Sequence, residues 1–106
     1  MTMGTTITHR EVIERLHKAE FEIRRLGVRR LALFGSIVRG EARPESDVDL
    51  LVEFYPDQKS FDHFLELCEL LEARLERPVE LVTTEALSPF IGPRILAEAE
   101  DVVRAT

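Results

Sequence analysis

Two short segments decide the fold of this chain: LFGSIVRG at residues 33–40 and SDVDLLV at residues 46–52. In the first segment an apolar run ends in a Gly-Ser turn. In the second, two carboxylates lie two residues apart at the start of another apolar run. A charge inside a strand-like segment is unfavourable unless another group compensates it, and a metal ion is the usual compensation where two acids converge. The two segments therefore predict a binding site built on a small sheet.

Alternating helices and strands surround these segments. A capping box at Thr8 and Glu11 begins a first helix, whose apolar spacing continues to Leu26, and Gly27 is placed to end it. The further predicted elements are strands over 31–34, 48–54 and 79–83, a brief helix from the Gly-Ser turn to residue 40, a helix over 61–76, a short helix near 92–99, and either an edge strand or a frayed end over 101–104. This order predicts the α/β fold class, an α+β sandwich in which helices pack a small mixed β-sheet.

The composition limits the class of protein. The 106 residues predict one domain over 1–106, with a loose end over 1–7 and little room for a second substrate-binding domain. A net charge of −6 argues against general nucleic-acid binding. Cys68 is the only cysteine, which excludes an intramolecular disulfide. Because the sequence shows neither a signal-peptide core nor an apolar run of membrane-spanning length, we expect a cytoplasmic protein with no membrane association.

The acidic pair Asp47 and Asp49 is the strongest candidate for a metal site. Side chains two residues apart on a strand share a face, with Cα atoms roughly 7 Å apart, whereas Val48 and Leu50 point into the core. Carboxylate oxygens are hard ligands, so the pair predicts Mg²⁺, or alternatively Mn²⁺. The plainer interpretation of Asp47 alone is a turn residue ahead of a strand. Asp49 resists that interpretation because apolar residues enclose it on both sides.

The Gly35-Ser36 turn and Arg39 are candidates for holding phosphate. Glycine lets the backbone approach a phosphate closely, the Ser36 hydroxyl can donate a hydrogen bond, and Arg39 lies one helical turn further on. The alternatives are a plain helix cap at the turn and an ion pair between Arg39 and Glu41 or Asp47. A P-loop is excluded, because it requires lysine and a hydroxyl residue where Glu41 stands and is followed by alanine.

Glu80 interrupts the third strand much as Asp49 interrupts the second. If the two strands are neighbours, Glu80 is a third acid of the site and serves as a metal ligand or as a general base. The alternative is an ordinary solvent-facing residue of a strand.

The two segments resemble the signature of the polymerase-β-like nucleotidyltransferase superfamily. The matching motifs are Gly35-Ser36 with Arg39-Gly40, then SDVDL at residues 46–50. The tail motifs ELVT at 80–83, EALSP at 85–89 and ILAE at 95–98 narrow the resemblance to the minimal nucleotidyltransferases, the MNT antitoxins of HEPN–MNT toxin–antitoxin pairs. The resemblance runs from about Leu31 to Val103.

This resemblance implies a reaction and a division of roles. It implies the polymerase-β-like fold, metal binding and catalysis by Asp47 and Asp49, contact of Gly35 and Ser36 with the triphosphate of ATP, and support from Arg39. The third acid of the family is usually aspartate, whereas this chain has Glu80, whose extra methylene shifts the geometry.

The resemblance implies Mg²⁺-dependent transfer of AMP from ATP to a tyrosine hydroxyl of a HEPN ribonuclease toxin. The chain would form a hetero-oligomer with this partner, and the sequence leaves a homo-oligomer as the alternative. The main alternative from the sequence is a non-catalytic module that neutralises a partner by contact. Modification of a small molecule such as an aminoglycoside is disfavoured, because the chain lacks a domain to enclose one.

Overall fold

The computed structural model describes residues 7–104, which form five α-helices, one 3₁₀ turn and four strands. In chain order the elements are α1 (His9–Lys18), α2 (Glu20–Arg25), β1 (Val28–Phe34), α3 (Ser36–Arg39), β2 (Val48–Phe54), α4 (Phe61–Leu75), β3 (Val79–Thr83), the 3₁₀ turn (Thr84–Ala86), α5 (Gly92–Glu98) and β4 (Glu100–Arg104). None of the helices within this part of the chain is long and apolar enough to cross a membrane.

The four strands form one mixed sheet in the order β3-β2-β1-β4. β1 runs antiparallel to both β2 and β4, whereas β2 and β3 are parallel. The parallel pair is joined by α4, as such a pair requires a crossover connection. The predicted mixed sheet packed by helices is therefore confirmed, and the fold is α+β.

Each face of the sheet buries a separate apolar cluster. The larger cluster packs α1, α2 and α4 against the strand residues that point to one face, among them Leu33, Leu50 and Val52. The smaller cluster on the opposite face contains Phe34 and Leu51, with partly buried residues of β3, α5 and the segments flanking α5. Asp49 alternates with Leu50 along β2, so its side chain lies on the face of the smaller cluster.

Most predicted elements are found where the sequence places them, with three differences. The first helix is interrupted at Ala19, which is fully buried, so that α1 and α2 each direct apolar residues into the core. β1 begins at Val28 rather than Leu31, because the preceding residues pair with the end of β2. The open alternative over 101–104 is settled in favour of an edge strand, β4, which begins at Glu100.

The N-terminal end was predicted to be loose over residues 1–7. Residues 1–6 lie outside the described part of the chain, whereas Ile7 is buried against the larger cluster. Burial of this apolar side chain next to α1 is favourable.

Candidate active site

The register of β2 and β3 brings two acids together. Asp49 pairs with Glu80 across the parallel strands and with Phe34 across the antiparallel ones. The nearby Glu80 carboxylate contributes to the raised pKa of Asp49. Glu80 was predicted to join the acid pair if its strand is a neighbour of β2. That condition is met.

Gly35 lies directly against the Asp49 carboxylate. A Cβ atom added to Gly35 would stand 2.0 Å from Oδ2 of Asp49 and 2.8 Å from its Cγ. The backbone angles of Gly35, φ 84° and ψ −154°, belong to a region that is essentially restricted to glycine. Both the space and the backbone therefore require glycine at this position, and the absent side chain leaves the carboxylate accessible.

The Asp49 carboxyl is electrostatically strained. Partial burial, the charges of Glu80 and Asp47 and the hydrogen bond with Glu80 together raise its pKa from 3.8 to about 6, and the charge of Arg39 opposes the rise. A cation between these carboxylates would relieve the repulsion, so the donor set fits a hard divalent metal.

Asp47 lies close to this pair without joining its strand. β2 begins at Val48, as predicted, so Asp47 is the exposed residue immediately before the strand, and its charge still acts on the Asp49 carboxylate. A turn over 43–46 ends the loop just before it, because the Ser46 hydroxyl accepts a hydrogen bond from the Arg43 N–H. Within residues 7–104, no three His, Cys, Asp or Glu side chains form a ready-made metal cluster.

The arginine of the site is held by two carboxylates. Arg39, the last residue of α3, donates from Nε to Glu41 at 2.9 Å and from Nη1 to both carboxylate oxygens of Glu98 at 3.1 and 3.2 Å. Oε2 of Glu98 also accepts the Gly35 N–H at 2.8 Å. This backbone hydrogen bond and the contact with Arg39 hold the pKa of Glu98 below its usual range. The predicted ion pair with Glu41 is thus present, and Glu98 is a second partner that the sequence did not indicate.

These groups surround one cavity of about 770 Å³, a volume suited to a nucleotide-sized ligand. Its polar lining includes Asp49, Glu80, Arg39 and Glu98, and its apolar lining comes from β1, β3 and the segment around α5. Gly35 lines the cavity as well. The structure therefore brings four of the six predicted site residues to one cavity, while Ser36, the first and half-buried residue of α3, and Asp47 lie outside its lining.

The sequence matches the family model of the nucleotidyltransferase domain over residues 11–102. The chain belongs to this family. Protein adenylyltransferase MntA of Thermococcus cleftensis is 44% identical over 93 residues, which cover 88% of this chain and 92% of the relative. A solved structure of a candidate minimal nucleotidyltransferase is 34% identical, with a TM-score of 0.70 over 83% of this chain and 93% of the other. The family resemblance seen in the sequence is confirmed.

The fold of this nucleotidyltransferase is also found in more distant structures. A chain of a toxin–antitoxin crystal structure with AMP-PNP matches with a TM-score of 0.65 at 20% identity, covering 94% of this chain and 76% of that one. A chain from a complex of tri-AMPylated Shewanella oneidensis HEPN toxin with MNT antitoxin matches with a TM-score of 0.55 at 20% identity, covering 84% and 72%. At this identity the likeness concerns the fold.

Two residues near the site of this nucleotidyltransferase were missed from the sequence. Glu98 is the last residue of α5, where the helix dipole disfavours a negative charge, and this mismatch is the one local signal that could have marked it. Arg77 donates from Nη2 to the backbone carbonyls of Pro44 and Ser46, the latter at 3.0 Å, and so fixes the loop that leads into Asp47. No local pattern indicates this contact, because it joins segments about thirty residues apart.

Proposed function

We propose that this nucleotidyltransferase transfers AMP from ATP to a hydroxyl group of a partner protein, and that the acceptor is a tyrosine of a HEPN-type toxin. The observation that carries the proposal is the convergence of Asp49 and Glu80 beside Gly35, in a cavity that also contains Arg39. Phosphoryl transfer needs an acidic site for a cation next to groups that hold the phosphates, and this cavity contains both.

Asp47, Asp49 and Glu80 would hold Mg²⁺. When bound, the cation supplies charge neutralisation at the phosphate that is attacked and at the leaving pyrophosphate. The fit rests on the strand register that sets Glu80 beside Asp49, where burial and then the charges of Glu80 and Asp47 raise the pKa of Asp49. Mn²⁺ has the same preference for oxygen ligands and would be accepted as a replacement.

The residues of the chain divide the remaining work. Gly35, without a side chain, lets the Asp49 carboxylate lie directly against the turn, and the Ser36 hydroxyl and Arg39 guanidinium donate to the triphosphate. The acceptor oxygen attacks the α-phosphorus, the bond to the β-phosphate oxygen breaks, and pyrophosphate leaves. Glu80 accepts the proton of the acceptor hydroxyl, because its carboxylate stands next to Asp49 at the cavity wall.

A protein acceptor is supported by the surface around the cavity. Phe90 and Ile91 precede α5 and are 90% and 54% exposed, and Ile91 also lines the cavity. Large exposed apolar side chains at the edge of a site are typical of contact with another macromolecule. The relative named protein adenylyltransferase and the fold likeness to toxin–antitoxin chains support the same class of acceptor.

The test is to incubate the purified protein with ATP, Mg²⁺ and the HEPN-type protein of the same genome, and to measure the mass of that protein. We expect an increase by one or more adenylate groups, located on tyrosine by peptide mapping. Asp49→Asn should abolish the increase. Glu53→Gln is the matched control, because Glu53 lies on the same strand, pairs with Arg29 and does not line the cavity.

Two outcomes would contradict the proposal. Equal modification by Asp49→Asn would show that the acidic pair is not the catalytic site. Tight binding of the HEPN-type protein without any mass increase would identify the chain as a module that neutralises its partner by contact.

A further inference from the structure

Glu98 occupies an unusual place for a glutamate. It is the last residue of α5, and its side chain is 18% exposed, less than either Arg39 or Glu41 with which it forms the cluster. A negative charge at a helix C-terminus is unfavourable, and cations are preferred there. The described contacts that offset this cost are the Gly35 N–H and the Arg39 guanidinium, both of which belong to the nucleotide site.

Both partners of the Gly35–Glu98 hydrogen bond lie next to paired strands. Two residues beyond Glu98, Glu100 pairs with Leu33 in the antiparallel ladder of β4 and β1. Gly35 comes one residue after Phe34, the last residue of β1, and Glu98 ends the helix that leads into β4. A contact placed next to strands and helices keeps its geometry better than one between two loops.

The contacts occupy two sides of the Arg39 guanidinium and, within the described part of the chain, leave Nη2 without a partner. Glu41 takes the Nε hydrogen of Arg39, and Glu98 takes the Nη1 side. Among residues 7–104, no acceptor engages Nη2 of Arg39, and the side chain lines the cavity. A guanidinium held on two sides and free on the third loses little side-chain entropy when it binds an anion.

We propose that Glu98 is a positioning residue of the nucleotide site, which acts on the triphosphate through Arg39 and through the backbone of Gly35. The proposal rests on the function proposed above, since it assigns Glu98 a role at that site. The Gly35 N–H is already bound to Glu98, so Gly35 serves the site by admitting the Asp49 carboxylate, and Arg39 provides the positive charge. Glu98 itself does not touch the reacting atoms.

The experiment is calorimetry of ATP binding in the presence of Mg²⁺, with the wild type, Glu98→Ala, Glu98→Gln, Arg39→Ala and the double variant Glu98→Ala with Arg39→Ala. Glu98→Ala should weaken ATP binding about tenfold, as expected when one charge-assisted contact no longer orders its partner. Glu98→Gln keeps the shape of the side chain and one acceptor oxygen, and its ATP affinity should fall only about threefold. In the Arg39→Ala background, Glu98→Ala should lower the ATP affinity about threefold or less, because Glu98 no longer has Arg39 to position.

Glu100→Gln is the matched control, since it removes a neighbouring carboxylate that pairs with His9 and does not line the cavity. Its ATP affinity should equal that of the wild type. Thermal unfolding of all variants separates loss of fold from loss of affinity, and the isosteric Glu98→Gln is the variant least disturbed in its packing.

The outcomes separate the two proposals. A wild type that does not bind ATP overturns the proposed function, and the role of Glu98 with it. If the wild type binds ATP and Glu98→Ala lowers the ATP affinity by the same factor with and without Arg39, only the positioning role is overturned. Tighter binding by Glu98→Gln also overturns it, because Glu98 would then be a competitor of the phosphates.

Discussion

Replacing Asp49 by asparagine should stabilise the nucleotide-free protein at neutral pH while abolishing transfer. The carboxylate is partly buried, lies beside Glu80 and feels the charge of Asp47, and these effects raise its pKa to about 6. Asparagine has nearly the same shape but carries no charge to desolvate or repel. A residue kept for chemistry at the expense of stability is common in active sites.

The size and sign of the effect follow from the pKa. In the unfolded chain Asp49 titrates near 3.8, so between pH 4 and 6 the folded state binds more protons and stability falls as the pH rises. Moving from 3.8 to about 6 corresponds to at most about 3 kcal/mol, at 1.36 kcal/mol per pKa unit. Because Asp49 is only partly buried, solvent screening reduces the expected gain of Asp49→Asn at pH 7.5 to about 1–2 kcal/mol.

The assay is urea unfolding of wild type and Asp49→Asn at pH 4, 5, 6 and 7.5, without divalent metal. The difference in unfolding free energy should be near zero at pH 4 and should grow in favour of the variant up to about pH 7. Glu53→Gln, which removes a carboxylate from the same strand but one paired with Arg29, should show no such gain. A variant less stable than wild type at pH 7.5, or a difference independent of pH, would refute the electrostatic account.

Three further predictions concern the same region. Gly35→Ala should lower the free energy of unfolding by at least about 3 kcal/mol, because the new Cβ meets Asp49 and the backbone conformation is restricted to glycine. Gly40→Ala should lower it by only about 1 kcal/mol, because Gly40 has a left-handed backbone at φ 74° but no atom within 4 Å of the new Cβ. Chemical denaturation of both variants measures the two losses. Mg²⁺ at ten times its dissociation constant should stabilise the wild type by about 1.4 kcal/mol but not Asp49→Asn, and equal shifts of the melting temperature would disprove binding at Asp49. Arg77→Ala should speed amide hydrogen exchange over residues 43–46, and unchanged exchange there would show that the arginine does not hold this loop.

The elements that the sequence predicted well are those fixed by local chemistry. The capping box of Thr8 and Glu11 forms as predicted, and the helix predicted over 61–76 is found as α4, whose first turn is capped by Ser60 accepting the His63 N–H. β2 and β3 have the predicted bounds, because apolar runs between turn residues leave little freedom in where a strand begins and ends.

The differences arise where distant segments decide the backbone. Ala19 is a good helix former, so nothing local predicts a break there, yet the core needs α1 and α2 to turn their apolar residues onto one sheet. The start of β1 at Val28 depends on pairing with Phe54 across an irregular register, which helix and strand propensity cannot show.

The contacts around Gly35 give this glycine a structural role that differs from the one its sequence context predicts. A Gly-Ser turn at the start of a helix predicts backbone donors for phosphate, but Glu98, 63 residues further along the chain, already accepts the Gly35 N–H. On its other side the same glycine touches the Asp49 carboxylate, at a distance that excludes any side chain. Gly35 therefore contacts Asp49 on one side and, on the other, Glu98 with its partner Arg39. Because a cation and a triphosphate must lie side by side for nucleotidyl transfer, this turn contributes the close approach of the two groups. In the proposed site the anion is then held by Arg39, which Glu98 positions.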